Sequence, residues 1–290
     1  MILKGTITAL VTPFKNGEVD YASLGNLVEH QIAQGVEGLL ACGCTGEPAT
    51  LSEPEKLKAI NTVLEAANKR VPVIAGSGTN ATQSTIDFTN KVCNLEVDAV
   101  LIITPYYNKP SPQGQLVHYS TVAEVSEKPV IIYNVPGRTG TNMGIDIIAE
   151  LGEHENIIGV KDAAGSLERV TQLRKLSSMA YMSGDDHICL PQVLMGASGV
   201  VSVSSNVAPA FVSQMIRFGL NGQLEKARAI HDMLYPLFKV LFIESNPAPV
   251  KKALQSLNII ASNELRLPLV AVHKQSADQI DDVLRMIEML

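Results

Sequence analysis

The run Ile157-Ile158-Gly159-Val160-Lys161-Asp162 is short, apolar and β-branched, and it closes on a lysine and an aspartate. Such a run reads as a strand buried on both faces, the kind that forms parallel sheets covered by helices. A lysine at the carboxyl end of a buried strand has two options. It can pair with a carboxylate, Asp162 and Glu168 being the nearest in sequence, or it can shed its proton on desolvation and become a nucleophilic amine able to form a Schiff base with a carbonyl compound. At this point both stand open.

Outward from this run, apolar stretches recur between helical patterns, with centres near Ile7, Leu39, Val73, Leu101, Ile131, Ile158, Met182 and Val201. Strands alternating with helices indicate βα units and a parallel sheet. Asp20 can cap a helix whose Leu24, Leu27, Val28 and Ile32 share one face and which stops at Gly35, and Ser52 with Glu55 makes a capping box ahead of Leu57, Ile60, Leu64 and Ala67. Eight alternations point to an α/β chain folded as a (β/α)8 TIM barrel, with an open doubly wound sheet as the other topology. In both, ligands sit at the carboxyl ends of the strands. Near Asn221 the strand signal stops. The expected division is a barrel over residues 1–223 and a C-terminal three-helix appendage over 224–290, its helices read from Ala227-Ile230-Leu234, Val250-Ala253-Leu254-Leu257 and Ile280-Val283-Met286 and docked on the barrel.

Composition narrows the class. A chain of 290 residues with 23 basic and 29 acidic side chains, a net charge of -6 and no basic run argues against nucleic acid. No stretch approaches the ~20 apolar residues of a membrane span and the first residues lack the order of a signal peptide, so a cytoplasmic protein is expected. The cysteines Cys42, Cys44, Cys93 and Cys189 make neither a zinc spacing nor a disulfide framework, and no metal is expected.

The strand ends can be read as one rim. Gly43-Cys44-Thr45-Gly46-Glu47 is a glycine-rich turn whose backbone N–H groups can converge on a carboxylate. Tyr133-Asn134-Val135-Pro136-Gly137-Arg138-Thr139-Gly140 places a phenol, able to pass protons if buried, near a guanidinium able to hold a carboxylate in a fork. Taken singly, these read more readily as a half-buried core tyrosine and a surface arginine. Thr104-Pro105-Tyr106-Tyr107 and Gly184-Asp185-Asp186 end two further strands.

Together with Gly159-Val160-Lys161, these motifs resemble the dihydrodipicolinate synthase family, the 4-hydroxy-tetrahydrodipicolinate synthases, within the superfamily of pyruvate-dependent class I Schiff-base aldolases. The resemblance runs from Gly5 to Asn246-Pro247-Ala248-Pro249-Val250-Lys251. N-acetylneuraminate lyases share the tyrosine, the lysine and the glycine-rich turn, whereas Arg138 in its Pro-Gly-Arg-Thr-Gly setting is similar to the synthases. The resemblance implies a lyase that joins pyruvate to L-aspartate 4-semialdehyde through a Lys161 imine, the first committed step of the diaminopimelate route to lysine, with no cofactor beyond that imine. It implies Tyr133 as proton donor and acceptor, relayed through Cys44 to Tyr107 of a neighbouring subunit. Thr45 and its turn would hold the pyruvate carboxylate and Arg138 that of the semialdehyde, with the Val203 carbonyl lining the same site. A homotetramer built as a dimer of dimers is expected.

This chain departs from the family at two places. Cys44 stands where the family has threonine, and a thiol is the weaker hydrogen-bonding group. In lysine-inhibited members a pocket at the dimer interface takes lysine, commonly with histidines at the positions of Glu53 and Lys56 and a glutamate at that of Ser84; only Asn80 and Tyr106 match here. Insensitivity to lysine is therefore expected, unless Glu53 replaces the missing carboxylate. The remaining readings are another Schiff-base 2-oxo-acid aldolase acting on sugar acids, and a barrel kept for binding whose chemistry is lost.

Overall fold

The computed structural model describes residues 3–289. Eight parallel strands, β1 (Gly5–Ala9), β2 (Gly38–Ala41), β3 (Val73–Gly76), β4 (Ala99–Ile103), β5 (Val130–Asn134), β6 (Ile157–Asp162), β7 (Ala180–Ser183) and β8 (Gly199–Ser202), pair in chain order and close into a barrel. The closed barrel, rather than an open sheet, is the topology formed. Each strand is followed by a helix, beginning with Tyr21–Ala33 and Glu53–Ala67 and ending with Pro209–Leu220; a two-stranded hairpin of Phe14–Lys15 and Glu18–Val19 precedes the first. Alternation along the strands separates two cores. Ile7, Leu40, Ile74, Leu101, Ile131, Met182 and Val201 fill the lumen, while Leu39, Val73, Val100, Ile132, Val160 and Val200 pack outward under the helices. This is the period-2 pattern of strands buried on both faces.

Local signals in the sequence are realised as stereochemistry. Asp20 Oδ1 accepts from the Ser23 N–H at 3.0 Å, and Ser52 and Glu55 form the reciprocal capping box. Gly76 is needed because a Cβ there would sit 2.2 Å from the Cys42 carbonyl oxygen, so the ends of β2 and β3 meet backbone to backbone. The barrel seam, β8 against β1, is tied by Asn206, whose Nδ2 donates to the Ala9 carbonyl at 2.8 Å and whose Oδ1 accepts from the Val11 N–H at 3.3 Å; its own carbonyl accepts from Gln31 Nε2 at 3.1 Å.

After Pro209–Leu220 come helices Leu224–Val240, Ala248–Ser256 and Lys274–Met286. Their inner faces carry Leu234, Leu237, Val250, Leu254, Ile280 and Leu284. Met286, read as part of the inner stripe, is exposed and Leu284 takes that place, because at 100° per residue position 284 falls on the face of Ile280 and position 286 does not. The connection back to the barrel is electrostatic as well as apolar: Arg266 grips the Glu55 carboxylate with both terminal nitrogens, at 2.8 and 2.6 Å, and holds its pKa down to about 2. Among the described residues no helix is long and apolar enough to cross a membrane.

The junction of β5 and β6 departs from simple pairing. Val130 lies opposite Ile157, but the next residue, Ile131, lies opposite Gly159; from there Ile132 meets Val160, Tyr133 meets Lys161 and Asn134 meets Asp162. Ile158 is thus an extra residue, a bulge in β6. Ile157 faces outward; strict alternation from it would send Lys161 outward too, and the inserted residue turns Lys161 to the lumen beside Tyr133. A Cβ at Gly159 would come within 2.6 Å of Leu3 Cδ2 and 3.0 Å of the Ala180 carbonyl, so the bulge needs glycine here.

Asn134 and Asp162 face the other way, into a buried polar cluster. Asp162 accepts from Arg169 Nε at 2.8 Å, the Ala164 N–H at 2.9 Å and Asn134 Nδ2 at 3.2 Å, and Arg169 NH2 donates to the Met143 carbonyl at 3.0 Å. The Asp162 side chain is fully buried and that of Arg169 nearly so. Breaking a buried pair leaves an uncompensated charge, so Arg169→Met should lower the unfolding free energy by roughly 3 to 5 kcal/mol. Urea denaturation checks this, and a loss under about 1 kcal/mol would mean that the two N–H donors left to Asp162 suffice.

Candidate active site

Lys161 is 4 % exposed. Of the two carboxylates nearest in sequence, Asp162 is held by Arg169 on the opposite face of the strand and Glu168 is exposed on the following helix. Neither is its partner. Its Nζ instead lies over the face of the Tyr133 ring, 4.3 Å from the centroid. Burial lowers the Lys161 pKa from the free-lysine value, with the charges of Cys44, Asp185 and Asp186 opposing the shift and Arg138 assisting it. Burial also raises the Tyr133 pKa, and the adjoining Cys44 adds to that rise, so the phenol keeps its proton beside an amine that gives its own up readily.

A cavity of about 350 Å3 has Tyr133, Cys44, Glu47, Arg138 and Asn246 in its wall; Thr45 lies outside that wall, and Lys161 adjoins it through the Tyr133 ring. Arg138 stands on the one-turn helix Pro136–Thr139 that leaves β5, closed by Gly140 at φ 70°. Its guanidinium is exposed toward the cavity, and NH2 donates to the Asn246 carbonyl at 3.0 Å. Cys44 and Thr45 belong to a single 3₁₀ turn, Cys44–Gly46, that leaves β2; Cys44 is half-buried and Thr45 buried, its Oγ1 accepting from Asn246 Nδ2 at 3.0 Å. Asn246 thus joins the two groups assigned to carboxylates. It lies in the Asn-Pro-Ala-Pro stretch that the resemblance covered, but its 201-residue separation from Thr45 left no spacing to read.

Besides Lys161 and Thr45, two further expected residues lie outside that wall. Tyr107 is 90 % exposed at φ 72° and points away from the cavity, whose wall holds Tyr106 instead. Val203 is buried outside the cavity wall, and its carbonyl already accepts from the backbone and the side chain of Asn206, at 3.0 and 2.9 Å. Its N–H donates to Asp186 Oδ2 at 3.1 Å, which also takes both donors of Ser204. Asp186 was read only as a strand end, and it serves as a cap for the turn after β8. Of the positions expected at the lysine pocket, Lys56 and Tyr106 line this same cavity; Glu53 pairs with Lys91 at 2.6 Å, while Lys56 Nζ lies 5.4 Å from the Phe88 ring centroid.

The family model of the dihydrodipicolinate synthetase family matches residues 2–287. The chain belongs to that family. A 4-hydroxy-tetrahydrodipicolinate synthase of Geobacter metallireducens is 41% identical over 291 residues, covering 100% of each chain. A dihydrodipicolinate synthase from Acinetobacter baumannii, solved in complex with pyruvate, superposes with a TM-score of 0.97 at 40% identity over 100% of each chain. The enzyme from Cyanidioschyzon merolae, solved with lysine bound, does so with 0.96 at 37% identity over 99% of each. With members of this family named as synthases of the lyase class, this chain is a lyase and its (β/α)8 barrel is the family's fold.

An unpaired amine kept in the lumen is a burden on folding. Because its pKa is lowered in the folded state, the unfolded chain binds the proton more tightly, and stability rises with pH between the lowered folded value and the ordinary 10.5. Lys161→Met removes that burden and should raise stability at pH 7 by about 0.5 to 2 kcal/mol. A variant that melts below the parent would show that Lys161 is held by a compensating partner.

Proposed function

We propose that the protein condenses pyruvate with L-aspartate 4-semialdehyde to give 4-hydroxy-tetrahydrodipicolinate, through an imine on Lys161. The observation that carries this reading is a buried, unpaired amine under a protonated phenol, at the mouth of a barrel of this family. Neutral Nζ attacks the ketone carbon of pyruvate. The resulting hydroxyl leaves as water with a proton from Tyr133, giving the iminium, and loss of a methyl proton gives the enamine. The enamine carbon adds to the aldehyde carbon of the semialdehyde; the semialdehyde's own amine then attacks the iminium carbon and releases Lys161 as an amine, closing the ring. No cofactor enters this sequence, since the imine itself is the electron sink.

The supporting residues follow from where they stand. Thr45, held by Asn246, would receive the pyruvate carboxylate, and exposed Arg138 that of the semialdehyde, in a charge-assisted fork. Cys44 adjoins the Tyr133 phenol, as a relay requires, and Tyr107, exposed at φ 72°, would serve a neighbouring subunit's site in a dimer within a tetramer. Borohydride reduction in the presence of pyruvate, read by intact and peptide mass, tests the imine. A pyruvyl adduct on Lys161 is expected, absent from Lys161→Arg, with a trapping rate that climbs as pH rises and Lys161 loses its proton, then levels off below the pH at which free lysine would. An adduct on another lysine would overturn the reading, and a range of aldehydes offered to the unreduced enzyme with pyruvate separates this synthase from the sugar-acid aldolases.

Insensitivity to lysine forms part of the proposal. Glu53 is engaged by Lys91, which leaves the ammonium of Lys56 facing an incoming lysine without that carboxylate, and Ser84 supplies no other. A missing charge-assisted contact is worth roughly 1.5 to 3 kcal/mol, about ten- to a hundredfold in affinity. Millimolar lysine should leave the initial rate nearly unchanged at fixed pyruvate; half-inhibition below about 1 mM, equivalent to roughly 4 kcal/mol of binding, would mean that the pocket works in altered form.

A further inference from the structure

One segment of the C-terminal part grips the turn after β2 at two points. Asn246 Nδ2 donates to Thr45 Oγ1 at 3.0 Å, and five residues later Lys251 Nζ donates to Glu47 Oε1 at 2.5 Å. The side chains of Lys251 and Glu47 are 0% and 1% exposed. Lys251 also donates to the Glu264 carbonyl at 2.8 Å and lies 4.1 Å from the Phe14 ring centroid, while Glu47 Oε2 accepts from the Arg266 N–H at 3.3 Å. Glu47 lies in the same cavity wall as Tyr133, but the chemistry above gives neither side chain a role.

A pair this deep is poorly explained by stability, since apolar side chains of like volume often serve as well or better. What an ion pair supplies is direction. Glu47 sits at φ 53°, left-handed territory that a residue with a Cβ enters at a cost, and from there its N–H closes the turn onto the Cys44 carbonyl at 3.2 Å. On the other side Thr12 Oγ1 holds the Gly46 carbonyl at 2.8 Å. The side chain that Lys251 fixes is therefore the one that ends the turn carrying Cys44 and Thr45.

We propose that the buried Glu47–Lys251 pair is a positioning device for this turn, setting how well the site takes up the carboxylate of its 2-oxo acid and not how fast the bound acid reacts. The proposal rests on the reading of Thr45 and its turn as the pyruvate carboxylate site. A displacement of about 1 Å at such a group is enough to cost on the order of a hundredfold, and apolar replacements at 47 and 251 would keep the helix docked while freeing the turn to shift.

The test is the double variant Glu47→Met with Lys251→Met, which removes both charges and strands neither, together with Lys251→Arg, which keeps the charge but changes the shape of the contact. The wild-type enzyme is first trapped with pyruvate and borohydride. For both variants, circular dichroism should be unchanged, KM for pyruvate should rise at least tenfold, and the trapping rate at saturating pyruvate should stay within about threefold of wild type, with KM for the aldehyde little altered. A KM for pyruvate equal to wild type in either folded variant would overturn the proposal, as would an equal loss in both substrates and in the saturated rate, which is the mark of general loosening. If only one variant folds, its KM for pyruvate decides. Absence of a trapped adduct on the wild-type enzyme would instead remove the Schiff-base reading on which the proposal stands.

Discussion

Everything in the site depends on the register between β5 and β6. One residue inserted at Ile158 sends Tyr133 and Lys161 to the lumen together and sends Asn134 and Asp162 outward together. The two faces then have opposite chemistry. Outside, a carboxylate, a guanidinium and two amides satisfy one another under the helices. Inside, the amine is left with an aromatic face. Had Asp162 shared the lumen with Lys161, its charge would have held the amine as an ammonium, whereas burial now lowers the Lys161 pKa.

Charge is distributed through the molecule by the same logic. The fully buried carboxylates of Asp162 and Glu47 each meet a basic partner, and in each case a hydrogen-bonding shell completes the arrangement. Those pairs are structural supports for segments that adjoin the lumen. Lys161, the lysine proposed to form the imine, has no such support, and the barrel around it is otherwise well packed, with Ile131, Met182 and Val201 in the lumen.

Much of this was legible in the sequence because it is locally encoded. Each barrel strand is a short, largely apolar run, Asp20 and Ser52 announce their helices, and a lysine closing a buried strand is conspicuous on its own. The parts that were not legible depend on what lies across from a residue. The bulge in β6 is defined only by pairing with β5, and Gly159 looks like any other glycine until Leu3 and Ala180 are seen against it. The pairs Glu47 with Lys251 and Glu53 with Lys91 join residues 204 and 38 apart, where no spacing rule reaches. Val203 and Tyr107 show the converse. A motif can name a residue correctly as part of a loop and still leave open which way the loop turns it, and here one carbonyl is absorbed by Asn206 while one phenol faces solvent.

The seam tied by Asn206 carries a consequence for how the chain is made. Its hydrogen bonds to Ala9 and Val11 span 197 and 195 residues, so the first strand emerges from the ribosome long before the strand it must lie beside. Until then β1 has β2 on one edge and nothing on the other, an unpaired edge of the kind that invites association with other nascent chains. Ring closure of this length is a late, entropically costly event, in which Asn206, fixed by Gln31 from the first helix, adds side-chain bonds to the backbone pairing of β1 with β8.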